Sequence, residues 1–342
     1  MLPLALTMGE PAGIGGEITL RCWAEREPGD APFFIIDDPA RLAALGRRVG
    51  FDVPVATIAH PSEAAAVFAR ALPVLPLSAA PTPTPGRPDP AQAHLVLESI
   101  RRAVAAVQDG TAGAVVTNPI QKETLYAAGF RHAGHTEFLA ELAGGGVHPI
   151  MMLACSELRV VPATVHSSLR GAIDMVSTDL ILTAGRITAH ALRQDFGIAE
   201  PILAVAGLNP HAGENGTLGR EELEIIVPAI EILRAEGIDA RGPLPADTMF
   251  HARARARYDA ALCMYHDQAL IPLKTIDFDG GVNITLGLPF VRTSPDHGTA
   301  LDIAGTGVAH AGSLRAAMVM AGQIAARRHA GPVRGRPPVA AE

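Results

Sequence analysis

Nearly unbroken apolar runs recur along the chain at 2–8, 33–36, 114–117, 150–153, 159–165, 202–206 and 260–265. Runs of this length without alternation predict strands buried on both faces. Between several of them lie longer amphipathic stretches at 90–109, 179–195, 220–236 and 313–328. The clearest, 90–109, carries Val96, Ile100, Val104 and Val107 on one helical stripe and stops at Gly110. Strands alternating with helices predict an α/β fold with a largely parallel sheet. The segment 78–90, SAAPTPTPGRPDP, can be neither helix nor central strand and is expected to be a surface loop or linker. The tail 331–342 is rich in Pro, Gly and Arg and is expected to be disordered. No internal repeat is visible.

Composition narrows the class. A chain of 342 residues that is 48% hydrophobic can bury a sizeable core, as two domains or one large one. A net charge of −7 argues against a nucleic-acid binder, which usually presents a basic face. No run of about 18 apolar residues occurs, so no membrane span is expected. The first residues, MLPLALTMGEPAG, lack a basic region and do not read as a signal peptide. Cys22, Cys155 and Cys263 lie far apart in apolar surroundings, as expected of reduced thiols in a cytoplasmic protein. The 28 basic residues comprise 26 Arg and only two Lys, Lys122 and Lys274.

In open parallel sheets ligands bind beyond the carboxyl ends of strands, so the residues following each apolar run are the candidates. His166 follows 159–165, Asn209 and His211 follow 202–206, and His266, Asp267 and Gln268 follow 260–265. Three histidines in one topological position could form a catalytic divalent-metal site with an open coordination position. Singly, each is more often a hydrogen-bonded loop residue, and spacings of 45 and 55 residues match no local zinc motif. A second cluster, Asn118, Pro119 and Lys122 followed by Gly134-His135-Thr136-Glu137, could open a helix whose N-terminus receives an anion. The plainer alternative is an N-cap by Thr136 with a surface His135. The third cluster is Lys274, Asn283 and Arg292, which together can hold a phosphate or carboxylate. The Gly-rich start GEPAGIGG follows a strand and precedes a helix, but it is not GxGxxG and is no ordinary Rossmann site.

Six segments carry a resemblance: MGEPAGIG near the start, GHTEFLA at 134–140, GLNPHAGE at 207–214, GPLPADT at 242–248, MYHDQ at 264–268 and GVNITLGLPFVRTSPDHGTALDIAG at 281–305. In these the chain resembles the 4-hydroxythreonine-4-phosphate dehydrogenases of pyridoxal 5′-phosphate biosynthesis, over roughly residues 2–325. DHGTALDIAGTG also resembles the adenine-side cofactor loop of isopropylmalate and isocitrate dehydrogenases. The resemblance implies two α/β/α domains with a cleft between them and an obligate homodimer. The expected bounds are 1–130 plus 295–330 for the first domain and 131–294 for the second. It implies a divalent metal (zinc, magnesium or cobalt) on His166, His211 and His266, drawn from both subunits. It implies substrate contacts at His135, Thr136, Lys274, Asn283 and Arg292, and an NAD or NADP loop at 296–307 with Asp296, His297, Gly298, Thr299 and Asp302. No basic cluster beside that loop marks a 2′-phosphate site, apart from distant Arg292 and Arg315.

The implied reaction is oxidation of 4-phosphooxy-L-threonine to a β-keto acid that loses CO2. Lys274 is included with the catalytic residues, and Asp247 and Asp267 are candidates for the general base; Asp267 could instead orient His266, and Asp247 could be a helix cap. Two departures from the family, Ser167-Ser168 after the first metal histidine and Asn118 where Gly is common, bear on substrate fit. The rivals are a dehydrogenase of a threonate or erythronate 4-phosphate or of a cyclic dihydrodiol, a phosphate acyltransferase of related fold, and a silent binding protein.

Overall fold

A computed structural model describes residues 1–132 and 134–331. The tail expected to be disordered therefore lies outside the described residues, save Gly331. The described strands are β1 (Leu4–Thr7), β2 (Phe33–Asp37), β3 (Val55–Thr57), β4 (Leu72–Pro76), β5 (Ala114–Val116), β6 (Ile150–Ala154), β7 (Arg159–Pro162), β8 (Ile202–Ala206), β9 (Asp239–Leu244), β10 (Ala260–Cys263), β11 (Val282–Leu286) and β12 (Arg292–Pro295). The chain forms two compact units, Met1–Pro149 with Asp279–Ala325, and Ile150–Phe278 with 326 onward. The first unit thus reaches past the expected 130 and resumes before the expected 295. It does so because β12 pairs with β5, and β11 with β12, bringing 282–295 back to the first unit's sheet.

In the first unit the strand order is β3-β4-β2-β1-β5-β12-β11. All neighbours are parallel except β11, which runs antiparallel to β12. Leu4, Ala5 and Leu6 of β1 are fully buried, as their unbroken apolar run requires. Helix Ala93–Gln108 lays Val96, Ile100 and Val104 into a core shared with Phe34, Ile36 and Phe138. In the second unit the order is β6-β7-β10-β8-β9, parallel except for the β6–β7 pair. Its core joins Leu153, Val160, Ala204 and Ala261 to Met249 and Leu273. The α/β expectation and the mostly parallel sheets are therefore met.

Some expectations shift locally. The regular strand ends at Pro162, although the Ala163 and Thr164 N–H groups still donate to the Cys263 and Met264 carbonyls, and His166 lies in a bend just beyond. The stretch 220–236 divides into a π-helical turn, Glu222–Ile226, and helix Val227–Ala235. Segment 78–90 is irregular up to the short turn Pro90–Gln92, with an isolated bridge between Thr84 and Arg87. Strands β3, β4, β9, β11 and β12 carry Pro or polar residues and gave no apolar run to read. All three cysteines are free and buried, and burial pushes the Cys22 thiol up to about 12. No helix among the described residues is long and apolar enough to cross a membrane.

Candidate active-site residues

In the first unit the strand order reverses between β1 and β5, the position where open sheets hold ligands. Asn118 follows β5 and is fully buried there. Its backbone N–H donates to Thr7 Oγ1 at 3.1 Å, and its Nδ2 donates to the Thr7 carbonyl at 3.0 Å and Thr19 Oγ1 at 3.1 Å. A Cβ on Gly9, whose φ of +73° already favours glycine, would stand 2.7 Å from the Asn118 Cβ. The glycine-rich start therefore closes the chain around Asn118.

Arg292 opens β12 and is 5% exposed. Its Nε and Nη2 donate to Thr117 Oγ1 at 3.2 and 2.6 Å, and its Nη1 donates to Thr285 Oγ1 at 2.9 Å. No carboxylate among the described residues pairs with it, and burial lowers its pKa to about 10. Beside this charge is His135, the first residue of helix His135–Leu142. Its Nε2 is shut from solvent without a hydrogen-bond partner. Burial, and then the positive fields of Arg292 and Lys122, push its pKa well below the usual imidazole range. The helix N-cap is Gly134, not Thr136, which sits within the first turn. Asn283 is partly buried on β11 and shares a face with Thr285. Thr117 and Thr285, which orient Arg292, were missed by the sequence reading. The strand-end position of Thr117 was the available signal.

The loop 296–307 belongs to the same unit. The Thr299 carbonyl accepts from the Ile14 N–H at 3.1 Å, and Thr299 Oγ1 donates to Gln121 Oε1 at 3.3 Å. The Asp296 N–H donates to Ser313 Oγ at 2.9 Å. Glu17, 2% exposed, accepts from the backbone N–H groups of Gly305 and Gly307. Arg21 and Arg48 donate to the carbonyls of the same two glycines. The His297 Nε2 is shut from solvent without a partner, while Gly298 and Asp302 are exposed. A cavity of about 190 Å³ lies between Pro11, Gly13, Arg41, Arg48, Pro85 and Gly305. The sequence showed no basic cluster marking a 2′-phosphate site beside this loop, but two arginines distant in sequence lie near it. Arg48 touches it and Arg41, paired with buried Asp37, lines the cavity; both are far away in sequence.

The second unit holds the other candidates. His166 is exposed, and the Ser168 hydroxyl caps helix Leu169–Met175 by accepting from the Gly171 N–H at 3.1 Å. His211 has φ +53° in a run of five left-handed residues, 211–215. Asn209 fixes that run's base. Its backbone N–H donates to Glu222 Oε1 at 2.7 Å, and its Nδ2 donates to Glu221 and Glu222. His266 opens helix His266–Ile276, and its Nδ1 lies 2.7 Å from Asp267 Oδ1. Asp247 is exposed in the first turn of helix Ala246–Met249 and makes no cap bond. The Lys274 ammonium stands 5.3 Å from the Phe278 ring centre. Among the described residues no three His, Cys, Asp or Glu side chains stand together to hold a metal ion. A cavity of about 530 Å³ in this unit, lined by Leu244, Pro245, Thr248, Met249, Arg257 and Tyr258 among others, contains none of the candidates.

A family profile described as pyridoxal phosphate biosynthetic protein PdxA matches residues 30–321. A 4-hydroxythreonine-4-phosphate dehydrogenase from Bradyrhizobium diazoefficiens is 56% identical over 339 residues, covering 95% of this chain and 98% of its own. The crystal structure of a 4-hydroxythreonine-4-phosphate dehydrogenase from Klebsiella pneumoniae matches with a TM-score of 0.84 at 39% identity, covering 95% and 100%. A terephthalate 1,2-cis-dihydrodiol dehydrogenase from Burkholderia xenovorans matches at 0.62 and 28% identity, covering 94% and 98%.

Proposed function

Because the chain belongs to the pyridoxal phosphate biosynthetic protein PdxA family, we propose that it oxidises 4-phosphooxy-L-threonine with NAD or NADP. The product, 2-amino-3-oxo-4-phosphooxybutanoate, loses CO2 to give 3-amino-2-oxopropyl phosphate. The observation that carries this reading is Arg292, a buried guanidinium oriented by two hydroxyls and lacking a carboxylate. An unpaired buried cation is costly, and a bound phosphate offsets that cost through charge-assisted hydrogen bonds. A guanidinium serves a phosphate or a carboxylate alike, so the choice of the phosphorylated substrate follows the family.

The chain's residues then take these roles. Arg292 holds the phosphate, with Thr117 and Thr285 fixing its plane. His135, held neutral, serves as a hydrogen-bond partner and not as a further fixed charge. By family resemblance, Thr136, Asn283 and Lys274 are further substrate contacts. Asp267 is engaged with His266 Nδ1, leaving that ring's Nε2 for a metal. Asp247 is then the better candidate for the base that takes the substrate hydroxyl proton. A divalent ion, when bound by His166, His211 and His266, supplies Lewis acidity that lowers the hydroxyl's pKa. Asp296, His297, Gly298, Thr299 and Asp302 would hold the nicotinamide cofactor, which would supply the hydride acceptor. By family resemblance the three histidines come from both subunits of a homodimer.

The test is NAD reduction with 4-phosphooxy-L-threonine before and after chelation. Turnover that is lost on chelation and restored by zinc, magnesium or cobalt is expected. Inactivity with this substrate alongside turnover of a threonate 4-phosphate or a cyclic dihydrodiol would replace the substrate assignment.

A further inference from the structure

Lys122 opens the helix Lys122–Ala127 in the first unit. Its side chain reaches back to the start of the next helix. A Cβ placed on Gly134 would lie 3.3 Å from Lys122 Cε and 3.4 Å from Nζ. Its charge acts on His135 together with that of Arg292. Glu137 Oε2 lies 3.5 Å from the same point on Gly134, but that residue is exposed and its field is screened by water. Three features therefore bear on this place: a buried guanidinium without a carboxylate, a buried imidazole nitrogen without a partner, and an ammonium lying against Gly134, the residue before that imidazole. The composition bears on the third. Arg fills almost every basic position in this chain, yet Lys stands at 122. A compact ammonium can approach Gly134 where a planar guanidinium needs more room.

We propose that Lys122 is a further phosphate-binding residue, contacting the substrate phosphate together with Arg292 and His135. The proposal rests on the reading that the substrate is phosphorylated.

Lys122→Gln and Lys122→Arg, made in the full chain, test it. A lost charge-assisted contact should raise the KM for 4-phosphooxy-L-threonine about 10–100-fold for Lys122→Gln, with kcat changed little. Inorganic phosphate, titrated by calorimetry, should bind correspondingly more weakly to both variants. The His135 ring titration, followed by NMR, should move up in Lys122→Gln, because one of the two cations facing it is gone. That shift shows only that the two groups are close; a merely structural lysine would leave the phosphate affinity unchanged. Gly134→Ala displaces the ammonium without removing it, and should weaken phosphate binding by an intermediate factor. Unchanged phosphate affinity and an unchanged His135 titration would overturn the proposal. If wild type fails to turn over 4-phosphooxy-L-threonine but phosphate binding still depends on Lys122, the substrate assignment fails and the Lys122 assignment stands.

Discussion

Arg292 and His135 show how a polar group can be buried without its usual partner. The guanidinium is satisfied by threonine hydroxyls, which neutralise no charge, and the imidazole is kept neutral by its burial and by the charges beside it. The second effect has a pH signature. A histidine whose folded pKa is depressed refuses a proton that the unfolded chain accepts below about 6.5. Stability therefore rises with pH up to that value and falls as pH drops below it. His135→Asn should remove this contribution. The melting temperature of wild type should fall more steeply than that of the variant between pH 7 and pH 5. Parallel slopes would mean that His135 protonates normally in the fold. Asn118 gives a second prediction at this scale. Asn118→Ala strips the donors from Thr7 and Thr19 in a fully buried site, and should cost about 1–3 kcal/mol in denaturant titration. Its position among buried bonds to Thr7 and Thr19 marks it as a tie between β1, β5 and the first helix. His135 and Arg292 were legible in the sequence as members of its polar clusters, independently of the resemblance. Thr117 and Thr285 were not, because a threonine in a strand looks the same whether it orients a guanidinium or merely packs.

At the scale of elements, the turn carrying His211 is held against its own preference. His211, Ala212 and Glu214 have side chains that disfavour positive φ, at a cost of roughly 1–2 kcal/mol each. Such backbone persists only where its surroundings impose it. Here the anchor is Glu222, 2% exposed, which receives both the backbone and the side chain of Asn209. Glu222→Ala should destabilise the protein by about 2–4 kcal/mol and speed amide exchange at 211–215 ahead of the surrounding sheet. Equal protection in both proteins would show that the turn holds itself. The loop 305–307 depends in the same way on Glu17. Glu17→Gln should speed exchange at Gly305 and Gly307 and weaken NAD binding measured directly by calorimetry. Neither clamp was legible in the sequence. GLNPHAGE reads as a loop after a strand, but nothing local says that five residues turn left-handed. Its anchor lies in a stretch whose apolar spacing reads as ordinary helix.

At the scale of the whole molecule, alternating apolar runs and amphipathic stretches sufficed for the α/β class, because buried parallel strands must be apolar on both faces. They did not suffice for the division into units, since the polar strand β12 returns to pair with β5. The proposed shared metal site makes assembly testable. Light scattering of the active enzyme should give a dimer, and dilution to monomers should abolish turnover and metal retention together. An active monomer would contradict it. That same return of β12 also bears on synthesis. As the chain leaves the ribosome, the second unit's strands β6–β10 emerge in one piece, whereas β5 must wait with an open edge until residue 295 has been made. Over that interval the edge is open to other strands, and a product truncated near residue 149 would expose it permanently and be prone to aggregate.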